Sequence, residues 1–153
     1  ERVKSYMLWM IERYGDYSAK ALLQKANLLF KDDTQFNEPA LEYLIERDII
    51  NDLRYAQRLT TSLSEKNIGV NKIKEKLYAK GFASQTINEC VSSLATTDED
   101  YFDKALTLKI RKFGAAPIND LKLKQKALRH LITKGFSYDI ANKAVSHTGD
   151  EDY

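Results

Sequence analysis

Most of the chemistry legible in this sequence is carried by lysine and arginine. Lys72, Lys76 and Lys80 follow one another at i, i+4 and i+8, which aligns them on one face of a helix. Lys122, Lys126 and Arg129 form a comparable stripe further on. Lys109, Arg111 and Lys112 extend the basic region toward Gly114, Lys134 closes it, and Arg54 and Arg58 border it. From Lys104 to Lys134 nine basic residues stand against one acid, Asp120. Stripes of this kind suit the phosphates of a long polyanion or an acidic protein groove, with fast association and a steep salt dependence. The competing explanation is a solvated lysine-rich helix face, which is common.

Other side chains offer less. Tyr55 and Tyr78 have the rings to stack on bases, although tyrosine in an amphipathic helix more commonly packs half-buried. Trp9 reads as a core or interface anchor. Asp98, Glu99 and Asp100 read as a helix start: consecutive helical positions point apart, whereas oxygen-ligand loops need spaced acids and a glycine. Cys90 lies beside the apolar stripe Ile87, Val91 and Leu94. His130 and His147 have no cysteine partners at zinc-site spacing. No Ser/His/Asp or Cys/His set, no paired-carboxylate signal and no glycine-rich phosphate loop is legible. No catalytic residue, metal or cofactor is therefore expected.

The chain that must position these residues has 153 of them, 43% apolar and 30% charged, with nine Tyr, six Phe and one Trp. That composition excludes disordered and low-complexity classes. No apolar run approaches the roughly 18 residues that span a bilayer. The single cysteine excludes an internal disulfide scaffold and fits a reducing compartment, the cytoplasm. The first residue is Glu1 rather than Met, so the sequence reads as a fragment. Charge is segregated. Residues 1–52 hold seven Lys/Arg against ten Asp/Glu, 53–97 seven against three, and 98–147 ten against six; the tail 148–153 adds Asp150, Glu151 and Asp152.

Helical periodicity dominates between the glycines and prolines. One helix runs from Arg2 to Tyr14 and stops at Gly15. Ser18 caps a second through about Phe30. Asn37 caps a third, with Pro39 in its first turn and Leu41, Leu44 and Ile45 inward. Asn51 or Asp52 opens a fourth, with Leu53, Ala56, Leu59 and Leu63 in one stripe. Val70, Ile73 and Leu77 line a fifth that ends at Gly81, and Ser84 caps a sixth. Thr97 opens a seventh to about Phe113, with acids over the positive end of the dipole. Pro117 lies near the start of an eighth that reaches Lys134, with Leu121, Leu128 and Leu131 roughly opposite its basic stripe. Ser137 and Asp139 open the last, through Val145. No stretch alternates as a strand would, so the fold class is all-α.

An internal repeat organises these helices. Lys80-Gly81-Phe82 recurs as Lys134-Gly135-Phe136, and at the same offset Lys72 meets Lys126, Leu77 meets Leu131 and Val91 meets Val145. Three tandem three-helix repeats follow: a degenerate first over 1–50, a second over 51–96 and a third over 97–147, with 148–153 as an acidic tail. Units this small bury little alone, so they are expected to stack into an elongated, curved molecule with the basic stripes along its concave face.

Asp52-Leu53-Arg54-Tyr55-Ala56, then Gly69, Ile73, Leu77 and Lys80-Gly81, then Ile87 and Leu94, resemble the middle repeat of the bacterial RecX regulators of the RecA recombinase. Leu131, Lys134-Gly135-Phe136, Ala141 and Ala144 resemble the last repeat, and Tyr17-Ser18 with Leu22, Leu23 and Lys25 the start of the first. The first repeat departs in lacking a Lys-Gly corner, and the turn before Ile73 keeps only Gly69. The resemblance implies three three-helix repeats and a non-enzymatic inhibitor, a monomer away from membranes, that binds a RecA-type filament in its groove or at its end. It also implies contact with single- or double-stranded DNA. The residues themselves leave two alternatives open, a direct DNA-binding helical module and a helical adaptor for another protein.

Overall fold

The structure is a computed structural model that describes residues 1–15, 17–32 and 34–148. Asp150, Glu151 and Asp152 of the acidic tail lie outside the described residues. The elements are α1 (Arg2–Tyr14), α2 (Ala19–Leu29), a 3₁₀ turn (Thr34–Phe36), α3 (Asn37–Glu46), α4 (Asp52–Ser64), α5 (Val70–Ala79), α6 (Ser84–Ser92), α7 (Asp98–Phe113), α8 (Leu121–Thr133) and α9 (Tyr138–Ser146). Among the described residues there is no strand, and the fold class is all-α, as expected. The chain divides into two compact units, one of Glu1–Leu59 with Leu77–Ser92, the other of Thr60–Lys76 with Ser93 onward.

In the first unit α1, α2 and α3 pack pairwise. Val3, Met7 and Met10 of α1, Leu22 and Ala26 of α2, and Ala40, Leu41 and Leu44 of α3 form the core, closed by Ile50. The spacing of these residues by three and four makes one apolar stripe on each helix. At the edges of this core Ile45 differs from its expected inward position. Tyr14 and Ile45 are exposed, and Trp9 keeps 49% of its surface, flanked by the rings of Tyr6 and Tyr14. Asn37 is not a cap. The 3₁₀ turn runs straight into α3, so Phe36 already has helical backbone angles, and Asn37 is fully buried with its amide donating to Asn27 Oδ1 at 2.8 Å.

The start of α2 is held from two sides. Ser18 Oγ accepts from the Ala21 N–H at 3.1 Å, and the Asp52 carboxylate accepts from the Ala19 N–H at 2.8 Å. Ser18 Oγ in turn donates to the Lys80 carbonyl at 2.5 Å. The corner that ends α5 therefore sits on the start of α2, and Tyr55 meets Phe82 edge-on at 5.2 Å. Asn51 is the residue that caps α4, its Oδ1 accepting from the Arg54 N–H at 3.0 Å. The buried positions of α4 are Ala56, Thr60 and Leu63, while Leu53 is exposed.

In the second unit α7, α8 and α9 pack pairwise around Tyr101, Ala105, Ala127, Leu131, Phe136, Ala141, Ala144 and Val145. Val70 packs against this core. Thr97 and Asp100 form a capping box, Asp120 caps α8 and Ser137 caps α9. The Lys104 ammonium donates to the Ser64 carbonyl at the end of α4. Here the corner repeats. The Gly69 N–H donates to the Lys134 carbonyl at 2.9 Å, and the Asn71 N–H to the Gly135 carbonyl at 3.0 Å. Orphan carbonyls at the end of α8 thus satisfy orphan N–H groups at the start of α5. The fit is backbone on backbone. A Cβ on Gly69 would fall on the Gly135 carbonyl, and one on Gly135 on the backbone of Lys72. Gly135 also has φ 98°, which L side chains avoid. α2 instead ends at Phe30 without glycine and makes no such joint among the described residues. A corner is needed where a helix end seats on an earlier helix start, which accounts for its absence from the first repeat.

Candidate basic interaction surface

The joint in the second unit gathers charge from distant parts of the sequence. Lys72 lies against Gly135, beside Lys134, although 62 residues separate Lys72 from Lys134. At the end of α7 the Lys112 ammonium reaches His130 Nδ1 at 3.5 Å, and the Phe113 ring meets the His130 ring edge-on at 6.0 Å. The His130 pKa is lowered by burial first, then by the positive charges of Lys112 and Lys134. Lys112 and Lys134 therefore flank the His130 imidazole, and Lys72 packs against Gly135, the residue after Lys134. Lys72 shares part of its charge with Glu75 at 3.2 Å.

Along α8, Lys122, Lys126 and Arg129 are all exposed, opposite the buried Ala127 and Leu131. Leu121, which falls on the apolar side by period, is 68% exposed, because the helix starts there and its first turn reaches past the core. Arg111 and Lys76 are exposed as well. His130 belongs to this surface. The signal for it is the four-residue interval from Lys126 to His130 to Lys134, which puts all three on one side of the helix.

Other basic residues are placed differently. Lys109 is 0% exposed, and its ammonium donates to the Ala116 carbonyl at 2.7 Å across the Gly114 loop. Burial lowers its pKa. It shares the buried stripe of α7 with Tyr101 and Ala105, and that four-residue spacing is the clue to its position. Arg54 clamps the turn between α3 and α4. It pairs with Asp48 at 2.9 Å and donates to the Asp48 carbonyl at 3.0 Å. Asp48 has φ 56°, and its carboxyl is held below the usual range by the Asn51 amide and then by Arg54. Lys80 follows the last turn of α5, and its carbonyl is engaged by Ser18. Arg58 is exposed on α4. Tyr78 is half exposed and donates to Ser84 Oγ at 3.2 Å. Tyr55 is packed, and burial raises its pKa.

Ammonium groups set around His130 offer point charges to anionic oxygens without a deep pocket. Their field acts beyond contact distance and weakens with salt. No described helix is long and apolar enough to cross a membrane.

Residues 98–145 match the family model of the third three-helix domain of RecX. The chain is 31% identical over 136 residues to "Regulatory protein RecX" of Acinetobacter baylyi, covering 89% of this chain and 82% of that protein. It is 33% identical over 135 residues to the protein of the same name from Clostridioides difficile, covering 87% of this chain and 62% of that one's length. The crystal structure of RecX from Lactobacillus salivarius superposes with a TM-score of 0.75 at 23% identity, covering 94% of this chain and 92% of that one, and so shares the fold.

Proposed function

The chain belongs to the RecX family of regulatory proteins, and on that premise we propose that it is a non-enzymatic inhibitor of a RecA-type recombinase filament. It binds in the filament groove or at the filament end through the basic surface built on α8, the end of α7 and the start of α5. The observation that carries this proposal is the pair Lys112 and Lys134 flanking His130, with Lys72 packed against the neighbouring Gly135. Oriented lysines attract the phosphates that a nucleoprotein filament exposes, and they speed encounter with it. Occupying that position blocks filament growth and ATP hydrolysis without any chemistry by the regulator itself. The modules of contact are the trios 51–96 and 97–147, which hold the positive charge; the acidic trio 1–50 is repelled by phosphate and favours protein contact. On this proposal the protein works as a monomer in the cytoplasm, where such filaments assemble.

The test is co-sedimentation with recombinase filaments on single-stranded DNA, beside naked DNA, at two salt concentrations. Recombinase ATP hydrolysis is followed in parallel. The wild-type chain pellets with filaments and slows hydrolysis. K112E/K126E/K134E loses both effects while far-UV circular dichroism shows unchanged helicity. Undiminished inhibition by the triple variant removes the basic surface from the mechanism. Retention on naked DNA as strong as on filaments, falling steeply between the two salt concentrations, makes the protein a direct DNA-binding module instead.

A further inference from the structure

The second unit also carries a groove of the opposite sign. At the start of α7 only Asp100 serves the capping box, where its carboxylate accepts the Thr97 N–H at 2.9 Å. Those bonds to Thr97 hold its carboxyl below the usual range. Asp98 and Glu99 take no part in the box. At the start of α9 the cap is Ser137, and Asp139 is likewise surplus to it. These three acids line a groove of about 730 Å³ beside the starts of α7 and α9. Two of its lining residues, Phe102 and Ile140, are half-buried side chains packed against the core of the unit. The His147 ring stands edge-on to Phe102 at 5.5 Å. Lys143 lines the groove too, so its charged side chains sum to a negative charge. None of the three acids is ion-paired among the described residues.

We infer that this groove docks a basic, leucine-bearing helical segment of a protein partner. Phe102 and Ile140 offer an apolar surface to one or two aliphatic side chains, and Asp98, Glu99 and Asp139 stand where lysines or arginines on the flanking turns of such a helix would lie. Apolar anchors in a groove with charges at its edge are how helices are commonly recognised. Charge complementarity decides the class of occupant. Phosphates and anionic lipid headgroups are repelled here, whereas the basic cluster attracts them. The regulator therefore presents one surface to anionic polymer and another to basic protein. This inference does not rest on the basic cluster and can fail without it.

The probe is a synthetic helical peptide of about four turns made of leucine and lysine, with a leucine–glutamate peptide of the same length as control. Each is titrated into the isotope-labelled full chain and followed by amide NMR shifts. The lysine peptide moves the signals of Phe102, Ile140 and Lys143, and the glutamate peptide does not. E99Q/D139N weakens the lysine peptide about fourfold, since exposed charge pairs are each worth roughly twofold. The amides keep both helix starts polar, and circular dichroism checks that α7 and α9 remain. I140A weakens binding through the apolar surface independently of charge, and K112E leaves it unchanged. Equal binding of the two peptides, shifts elsewhere on the chain, or full affinity in E99Q/D139N and I140A would overturn the inference.

Discussion

Replacing Gly69, Gly114 or Gly135 by alanine dissects the joint that sets Lys72 beside Lys134. At Gly135 two costs add. An L residue at φ 98° costs roughly 1–2 kcal/mol. The new Cβ also falls on the backbone of Lys72, where overpacking costs a further ~1–3 kcal/mol. G135A is thus expected to lose about 2–5 kcal/mol. Gly69 has no left-handed φ but faces the Gly135 carbonyl, so G69A carries the steric part alone, ~1–3 kcal/mol. Gly114 is the control, with φ 86° and open space within 4 Å of where an added methyl would stand; G114A loses the conformational part only, roughly 1–2 kcal/mol. Each kcal/mol moves the melting temperature by about 2–4 °C in a chain of this size. The assay is urea and thermal unfolding followed by far-UV circular dichroism, with the midpoint compared at unchanged m-value. If G69A is harmless and G135A costs no more than G114A, the two backbones do not meet, and Lys72 is not held where the proposed surface needs it.

Four further outcomes concern the same surface and its surroundings. His130 has a lowered pKa in the free protein, and a bound polyanion offsets the lysine charges, so the complex holds more protons than its parts. Affinity for a labelled oligonucleotide then rises as pH falls through and below His130's ordinary value, by at most about tenfold per pH unit for one proton, and H130Q flattens the profile. The same lowered pKa means that the unfolded chain binds the proton more readily, so stability declines as pH falls below His130's ordinary value, and H130Q removes that decline in urea titrations at several pH values. K126A and K134A each reduce the slope of log affinity against log salt by roughly 0.7 on single-stranded DNA, whereas K109M leaves affinity unchanged because that ammonium faces the interior. D52A removes the acceptor for the Ala19 N–H and costs about 1 kcal/mol in chemical denaturation without touching the basic cluster.

Much of the helical plan is legible in the sequence. Thr97, Ser18 and Ser137 cap helices as their positions predict, since a side-chain oxygen before an apolar stripe is a local signal. Asn37 carries the same signal and fails as a cap because a 3₁₀ turn places it inside the helix. Ile45 and Leu121 belong to apolar stripes by period but sit where no neighbour covers them, and what covers a helix end is not a local property. The charge of Lys109, taken alone, points to an exposed side chain. Its position in the stripe Tyr101, Ala105, Lys109 outweighs that charge, because a long aliphatic stem can be buried when a carbonyl meets the ammonium.

The amino-acid order by itself determined the succession of helices and most of their ends, though not the starts of α3 and α8, and that two Lys-Gly-Phe corners recur, because period, caps and glycines act within a few residues. Tertiary structure decided which charges are neighbours. Lys112 meets His130 because α7 packs on α8, and Lys72 lies against Gly135 only because a glycine corner at one helix end can seat on another helix start and exchange backbone hydrogen bonds with it. Such a contact spans more than sixty residues, and no local pattern of side chains records its geometry.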